Sequence, residues 1–236
     1  MAFTLHRLDA TYTAPFSVPA IALVGDVPTL IKVLYAAMNS RYSFIGPQSF
    51  RVINSNTLSE VGIGINLLNG RLEILLRVDQ LFAQATNLTN PEEVTFAQDC
   101  VLILHNFIEQ YLSGAQSTDA TLRISSWLKV EGGRETVTKN LHRVARPARN
   151  LFNIKEIGAE SVDYAAKIQL KNATAGWQVT VIAEPSAVSE ADLYLLRDYF
   201  FSLGGEMATP EARVAFVQTS TTTIYEWLGI GTLGSA

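Results

Sequence analysis

One cysteine, Cys100, occurs in 236 residues. No intramolecular disulfide can form and no cysteine-based zinc site can be built, which suits a reducing, cytoplasmic setting. The three histidines, His6, His105 and His142, lie in separate segments, without the short spacing that pairs metal ligands on one helix or strand. No metal or cofactor is therefore expected. Charge is sparse: 17% of residues are charged and the net charge is -4. With a pI near 5.4, general affinity for nucleic acid or an anionic membrane is not expected, because both demand a basic surface. No apolar run approaches the roughly 20 residues of a membrane helix. The first residues, with His6, Arg7 and Asp9 among apolar neighbours, lack the apolar core of a signal peptide. Asn87-Leu88-Thr89 and Asn172-Ala173-Thr174 match the glycosylation acceptor pattern, which is inert without secretion.

The chemistry-bearing motifs are equally thin. Ser126-Trp127-Leu128-Lys129 matches the S-x-x-K pattern of serine acyltransferases, but in a strand residues three apart face opposite ways. Gly229-Ile230-Gly231-Thr232-Leu233-Gly234 fits G-x-G-x-x-G with no helix after it to supply a dipole for phosphate. Cys100 and His105 on one helix would be separated by roughly 140° of rotation, which excludes a catalytic pair. Cys100 reads as a small buried residue and His105 as a solvated one, off the apolar stripe. A non-catalytic protein is expected.

What is present is hydrophobic patterning, with 48% apolar residues, enough for a sizeable core. Phe3 to Thr13 reads as a strand whose alternation slips after Leu5, and Val18 to Val24 as a second short one. Asp26 and Pro28 open a helix through Leu30, Leu34 and Met38. Val61 to Leu67 and Leu72 to Val78 alternate with period two around Asn69-Gly70, the strongest hairpin signal in the chain. Asn90-Pro91-Glu92-Glu93 is a helix start with a capping side chain, proline in the first turn and acids facing the positive dipole end. The helix should run to about Leu112.

A second series follows: a strand from Leu122 to Val130, a helix over 134–145 ending before Pro147, strands over 152–157, 162–170 and 177–183, and a long helix through Leu193, Leu196, Tyr199 and Leu203. Placing Val101, Ile103 and Leu104 on Leu193, Leu195 and Leu196 aligns the two long helices. Arg213 to Ile224, rich in valine and threonine, reads as a further strand. The expected fold is α+β, two similar sheet-plus-helix halves forming a tandem β-α-β-β-β-α repeat, with mostly antiparallel strands and the long helices on one face. Residues 1–114 and 120–205 form the repeats, and 206–236 a C-terminal strand and tail.

Two surface features point to function. Lys139, His142, Arg143, Arg146 and Arg149 concentrate positive charge on one helical segment, suited to an anion or an acidic partner. Tyr194, Phe201 and Trp227 are expected on an apolar partner surface. The leading reading is a non-catalytic interaction or assembly subunit that binds a protein partner or itself. The alternative is a binding module for a small apolar ligand in a cavity between sheet and helix, and a further alternative is an anion or nucleic-acid binder through the basic helix face.

Overall fold

The slip after Leu5 is a bulge, not an end: the register of the first strand shifts between Leu5 and Arg7, and pairing then continues. The strand, β1 (Phe3–Val18), therefore reaches well beyond Thr13. The computed structural model describes residues 2–112, 114–145, 164–202 and 204–231. After β1 come a one-turn helix, α1 (Ala22–Gly25), where a strand was expected, and α2 (Val27–Arg41), whose first turn is capped by the Asp26 carboxylate accepting from the Thr29 amide. Strands β2 (Phe50–Ile53), β3 (Gly62–Leu67), β4 (Leu72–Arg77) and β5 (Gln80–Leu88) follow, then the long helix α3 (Pro91–Tyr111). Strand β5 is absent from the sequence reading.

The chain continues with a short β6 (Gln116–Ser117), then β7 (Ala120–Val130), α4 (Gly133–Ala145), β8 (Ala166–Asn172), β9 (Trp177–Pro185), β10 (Leu193–Phe201) and α5 (Pro210–Leu228). The expected strand over 152–157 lies outside the described residues. Among the described residues all pairings are antiparallel, and they form one ten-stranded sheet in the order β2-β3-β4-β5-β1-β7-β10-β9-β8, with β6 beside β1. The protein is thus α+β with a single large antiparallel sheet.

Two expectations are overturned together. Residues 193–201 are a strand, not the second long helix, and 210–228 are a helix, not a strand. In β10 the odd-numbered residues Leu193, Leu195, Arg197, Tyr199 and Phe201 are buried, while Tyr194, Leu196 and Asp198 are half-buried and Phe200 is exposed. Both faces carry apolar residues because the strand lies between β7 and β9, and a run apolar on both sides mimics a buried helix. In α5 the helix is set by its ends. Thr209 caps it by accepting from the Ala212 amide, Pro210 occupies the first turn, and Gly229 closes it at φ 72°. Its threonines fit because Thr222 and Thr223 return their hydroxyls to the Gln218 and Thr219 carbonyls one turn back. The residue alignment of Val101 onto Leu193 therefore sets a helix on a strand and fails.

The helices share one face of the sheet. Tyr35 of α2 meets Phe50 of β2 edge-on, the ring centres 5.8 Å apart, and Tyr225 of α5 meets Phe3 of β1 at 4.8 Å. Helix α3 lies between α2 and α5 and is tied to α2 through Asp99, which accepts from Arg41 at 2.6 Å and from the Tyr42 hydroxyl at 2.5 Å. At its start, Glu93 accepts from Arg71 in the hairpin loop and from the Thr89 amide at 3.0 Å. Beneath α5, the buried Arg197 donates to Ser126 of β7 at 2.8 Å and to Thr221 of α5 at 2.6 Å. No described helix packs on the opposite face of the sheet. There the side chains form ion pairs, Arg51 with Glu73 at 2.7 Å and Arg123 with Asp198 at 2.8 Å, around a central stack in which the Arg7 guanidinium lies 4.8 Å from the centre of the Trp127 ring and Trp127 lies 5.1 Å from Tyr194. Among the described residues no helix is long and apolar enough to cross a membrane.

Candidate functional site

A cavity of about 120 Å³ lies between the centre of the sheet and the helices α3 and α5. It exists because its floor is made of small side chains. Ala10 pairs with Ala85 across β1 and β5, and Ala83 pairs with Tyr12 two residues along, on the same face. Leu72 of β4 and Ile124 of β7 border these alanines, and Phe201 of β10 closes the floor. One wall is a stripe of α3, Val94, Ala97, Gln98, Val101, Leu102 and His105, at the i, i+3, i+4 spacing of one helix face. The other is Pro210, Arg213, Val214 and Val217 of α5. Several wall residues, Val94, Ala97, Gln98, Val101 and Leu102, are only half-buried, so the cavity opens toward solvent between the two helices.

Three polar side chains meet at one corner. The Tyr12 hydroxyl lies 2.8 Å from Nε2 of His105, and Nη1 of Arg213 lies 3.4 Å from the same hydroxyl. Arg213 also donates through Nε to the Met207 carbonyl at 2.8 Å and through Nη2 to the Ala208 carbonyl at 3.4 Å. Since arginine only donates, the Tyr12 oxygen accepts from Arg213, while the direction of the Tyr12–His105 bond is set by the imidazole tautomer. Burial depresses the His105 pKa to about 4, with the Arg213 charge acting in the same direction. The imidazole is neutral at pH 7. Burial raises the Tyr12 pKa, opposed by Arg213, so the phenol also stays neutral.

His105 is thus buried at 9% exposure, not solvated as the helical periodicity suggested. The signal failed because α3 is packed on two sides, toward α2 and toward the cavity, so the edge of its main stripe is also interior. Tyr12 and Arg213 had no local signal, being 201 positions apart in the chain. No cysteine, serine, threonine or carboxylate side chain is among the described residues lining the cavity, and the described residues hold no metal-binding cluster. The lining forms an apolar chamber with one cationic, hydrogen-bonding corner.

The residues singled out from the sequence lie elsewhere, with one exception. Lys139 is ion-paired with Glu135 at 2.8 Å on the exposed side of α4, His142 meets the Tyr164 ring edge-on at 4.8 Å, and Arg143 packs against the backbone of Gly229. Arg146 and Arg149 lie outside the described residues. Tyr194 belongs to the uncovered sheet face and Trp227 is half-buried against the core. Phe201, placed on a partner surface with them in the sequence reading, is buried at 1% exposure and forms part of the cavity floor, because in a strand it points away from Tyr194. Ser126 of the S-x-x-K pattern is buried against Arg197 while Lys129 is exposed on the other face. Cys100 is buried, and burial pushes its thiol up to about 12.

The search against models of protein families gives no match, and no curated protein matches the chain. Among solved structures, Methanococcus jannaschii TBP aligns over 96% of this chain and 99% of its own, with 9% identity and a TM-score of 0.27. An alignment at that score assigns neither fold nor function.

Proposed function

We propose that the chain is a non-catalytic binding module whose ligand is small and largely apolar and occupies the cavity between the sheet and the two long helices. The observation that carries this reading is the cavity itself: a pocket of about 120 Å³ over three alanines, lined mostly by apolar side chains and open between two helices, is the concave apolar setting that small ligands occupy. An apolar cavity of roughly 150 Å³ is enough to take up benzene, so the size here suits one ring or a short branched chain. The order of strands outward from the middle, β1-β5-β4-β3-β2 on one side and β7-β10-β9-β8 on the other, supports reading the chain as two related halves with α3 and α5 as counterparts. The ligand then sits where the halves meet. Titration with neutral one-ring compounds such as toluene and indole, followed by thermal unfolding, should raise the melting temperature with concentration. Substituting Ala97→Leu fills the chamber from the half-buried helix side and should remove that response while the fold persists. A flat response of the wild-type chain across such a panel sinks the proposal.

A second reading is favoured by the stack of Arg7, Trp127 and Tyr194 on the uncovered face, since large aromatic rings there are a costly use of a water-facing surface. On this reading the chain is an assembly subunit that pairs with a second copy through that face. Sedimentation should then give a multiple of 25.8 kDa that reverts toward that mass in Trp127→Ala. A wild-type monomer across a wide concentration range would end it.

A further inference from the structure

Resting on the reading of the cavity as a ligand site, we infer that the ligand carries one anionic head group, a monocarboxylate, seated against Arg213 with its apolar body over the alanine floor. Arg213 is 4% exposed, yet among the described residues no carboxylate forms an ion pair with it. Its three acceptors are all neutral, two peptide carbonyls and the Tyr12 hydroxyl, and two of these bonds are long, at 3.4 Å. A guanidinium buried without a counter-charge is unfavourable, and its planar fork matches the oxygens of a carboxylate or a phosphate. The neighbouring polar groups, Tyr12 and His105, are both uncharged at neutral pH. The corner therefore holds a single positive charge.

That single charge selects among anions. A dianionic phosphate would bring two negative charges into an apolar chamber to meet one cation and would leave one uncompensated. A monocarboxylate neutralises the corner by accepting from the Arg213 guanidinium. The chamber limits the rest of the molecule to about one ring or a short branched chain, as in benzoate, phenylacetate or isovalerate.

The test compares ligands of one shape and different head groups on the whole chain by calorimetry: benzoate, benzamide and toluene, with inorganic phosphate as a control. Benzoate should bind roughly ten- to a hundredfold tighter than benzamide, and phosphate should not bind. Arg213→Gln, which keeps a side-chain hydrogen-bond donor and loses the charge, should abolish the preference while toluene binding persists. If benzamide and toluene bind as well as benzoate, the inference fails and the cavity reading stands. If no member of the panel binds the wild-type chain, both fail. A benzoate preference that survives Arg213→Gln also overturns the inference, because the head group would then sit elsewhere. Arg213 supports the turn before α5 through its two carbonyl bonds, so a crystal structure of the wild-type chain with benzoate provides a reading independent of any variant. Carboxylate oxygens within hydrogen-bond distance of the Arg213 Nη atoms support the assignment, and benzoate bound with its ring toward Arg213, or at another place, refutes it.

Discussion

The hydroxyl of Tyr12 lies 2.8 Å from Nε2 of His105. This contact joins the central strand β1 to helix α3 inside the apolar layer, where burial and the Arg213 charge disfavour a protonated imidazole. Stability should therefore depend on pH through His105. Its pKa in the folded chain, about 4, is below the value of 6.5 it has when exposed. Between those values the unfolded chain binds the extra proton, so the stabilisation is complete above pH 6.5 and is lost as the pH falls toward 4. The loss is on the order of 3 kcal/mol at most. Melting temperatures at pH 4.5, 5.5 and 7 should fall more steeply for the wild-type chain than for His105→Gln, and parallel curves would count against the assignment.

Adjacent phenylalanines in β10 should behave in opposite ways. Phe201 is 1% exposed and Phe200 is 41% exposed. Phe201→Ala should cost about 3–5 kcal/mol in urea unfolding, and Phe200→Ala under about 1 kcal/mol. A helix apolar all round would give no such alternation.

The buried Arg197 depends on hydroxyl acceptors. Ser126→Ala removes one of them and should cost roughly 1.5–3 kcal/mol, since the bond is made to a charged group. Thr221→Val should cost a similar amount. The double variant should depart from the sum of the singles, because both act on one guanidinium. Additive costs in a double-mutant cycle would show that the two bonds are independent.

The start of α3 offers a milder test. The Asn90 side chain accepts from the Glu93 amide at 2.8 Å. Asn90→Ala should lower stability by about 1 kcal/mol, and Asn90→Gly by a few tenths. Equal losses would mean that the cap bond contributes little and that the Arg71 contact with Glu93 holds the helix start.

Much of this architecture can be traced to local residue patterns. Strands β3, β4 and β7 follow from their alternation, and α3 from Asn90-Pro91-Glu92-Glu93. The hairpin at Asn69-Gly70 is present, although Leu68 at φ 52° joins Asn69 and Gly70 in the left-handed region, so the loop is longer than a two-residue turn. Where the reading failed, tertiary position overruled local pattern. Strand β10 is apolar on both sides because it lies inside the sheet, and the β-branched residues of α5 are held in a helix by a cap, a proline and a closing glycine. Strand β5 was missed because Ala83 and Ala85 are poor strand formers, and those same alanines are what open the cavity. A site defined by small side chains leaves almost no mark in a hydrophobicity pattern. Its charged corner is assembled from three elements that come together only in the folded sheet.

The first strand of the chain is also the middle of the sheet, with β5 on one side and β7 on the other. During synthesis β5 becomes available early, but residues 121–130, which pair with residues 3–13, leave the ribosome some forty residues later than the end of β5, which is a delay of seconds at about 5–20 residues per second. Throughout that interval a nascent chain holds a long strand with one unsatisfied side at the place that will become the middle of the sheet. A stalled or truncated product would carry that open edge permanently and could complete it only with another chain.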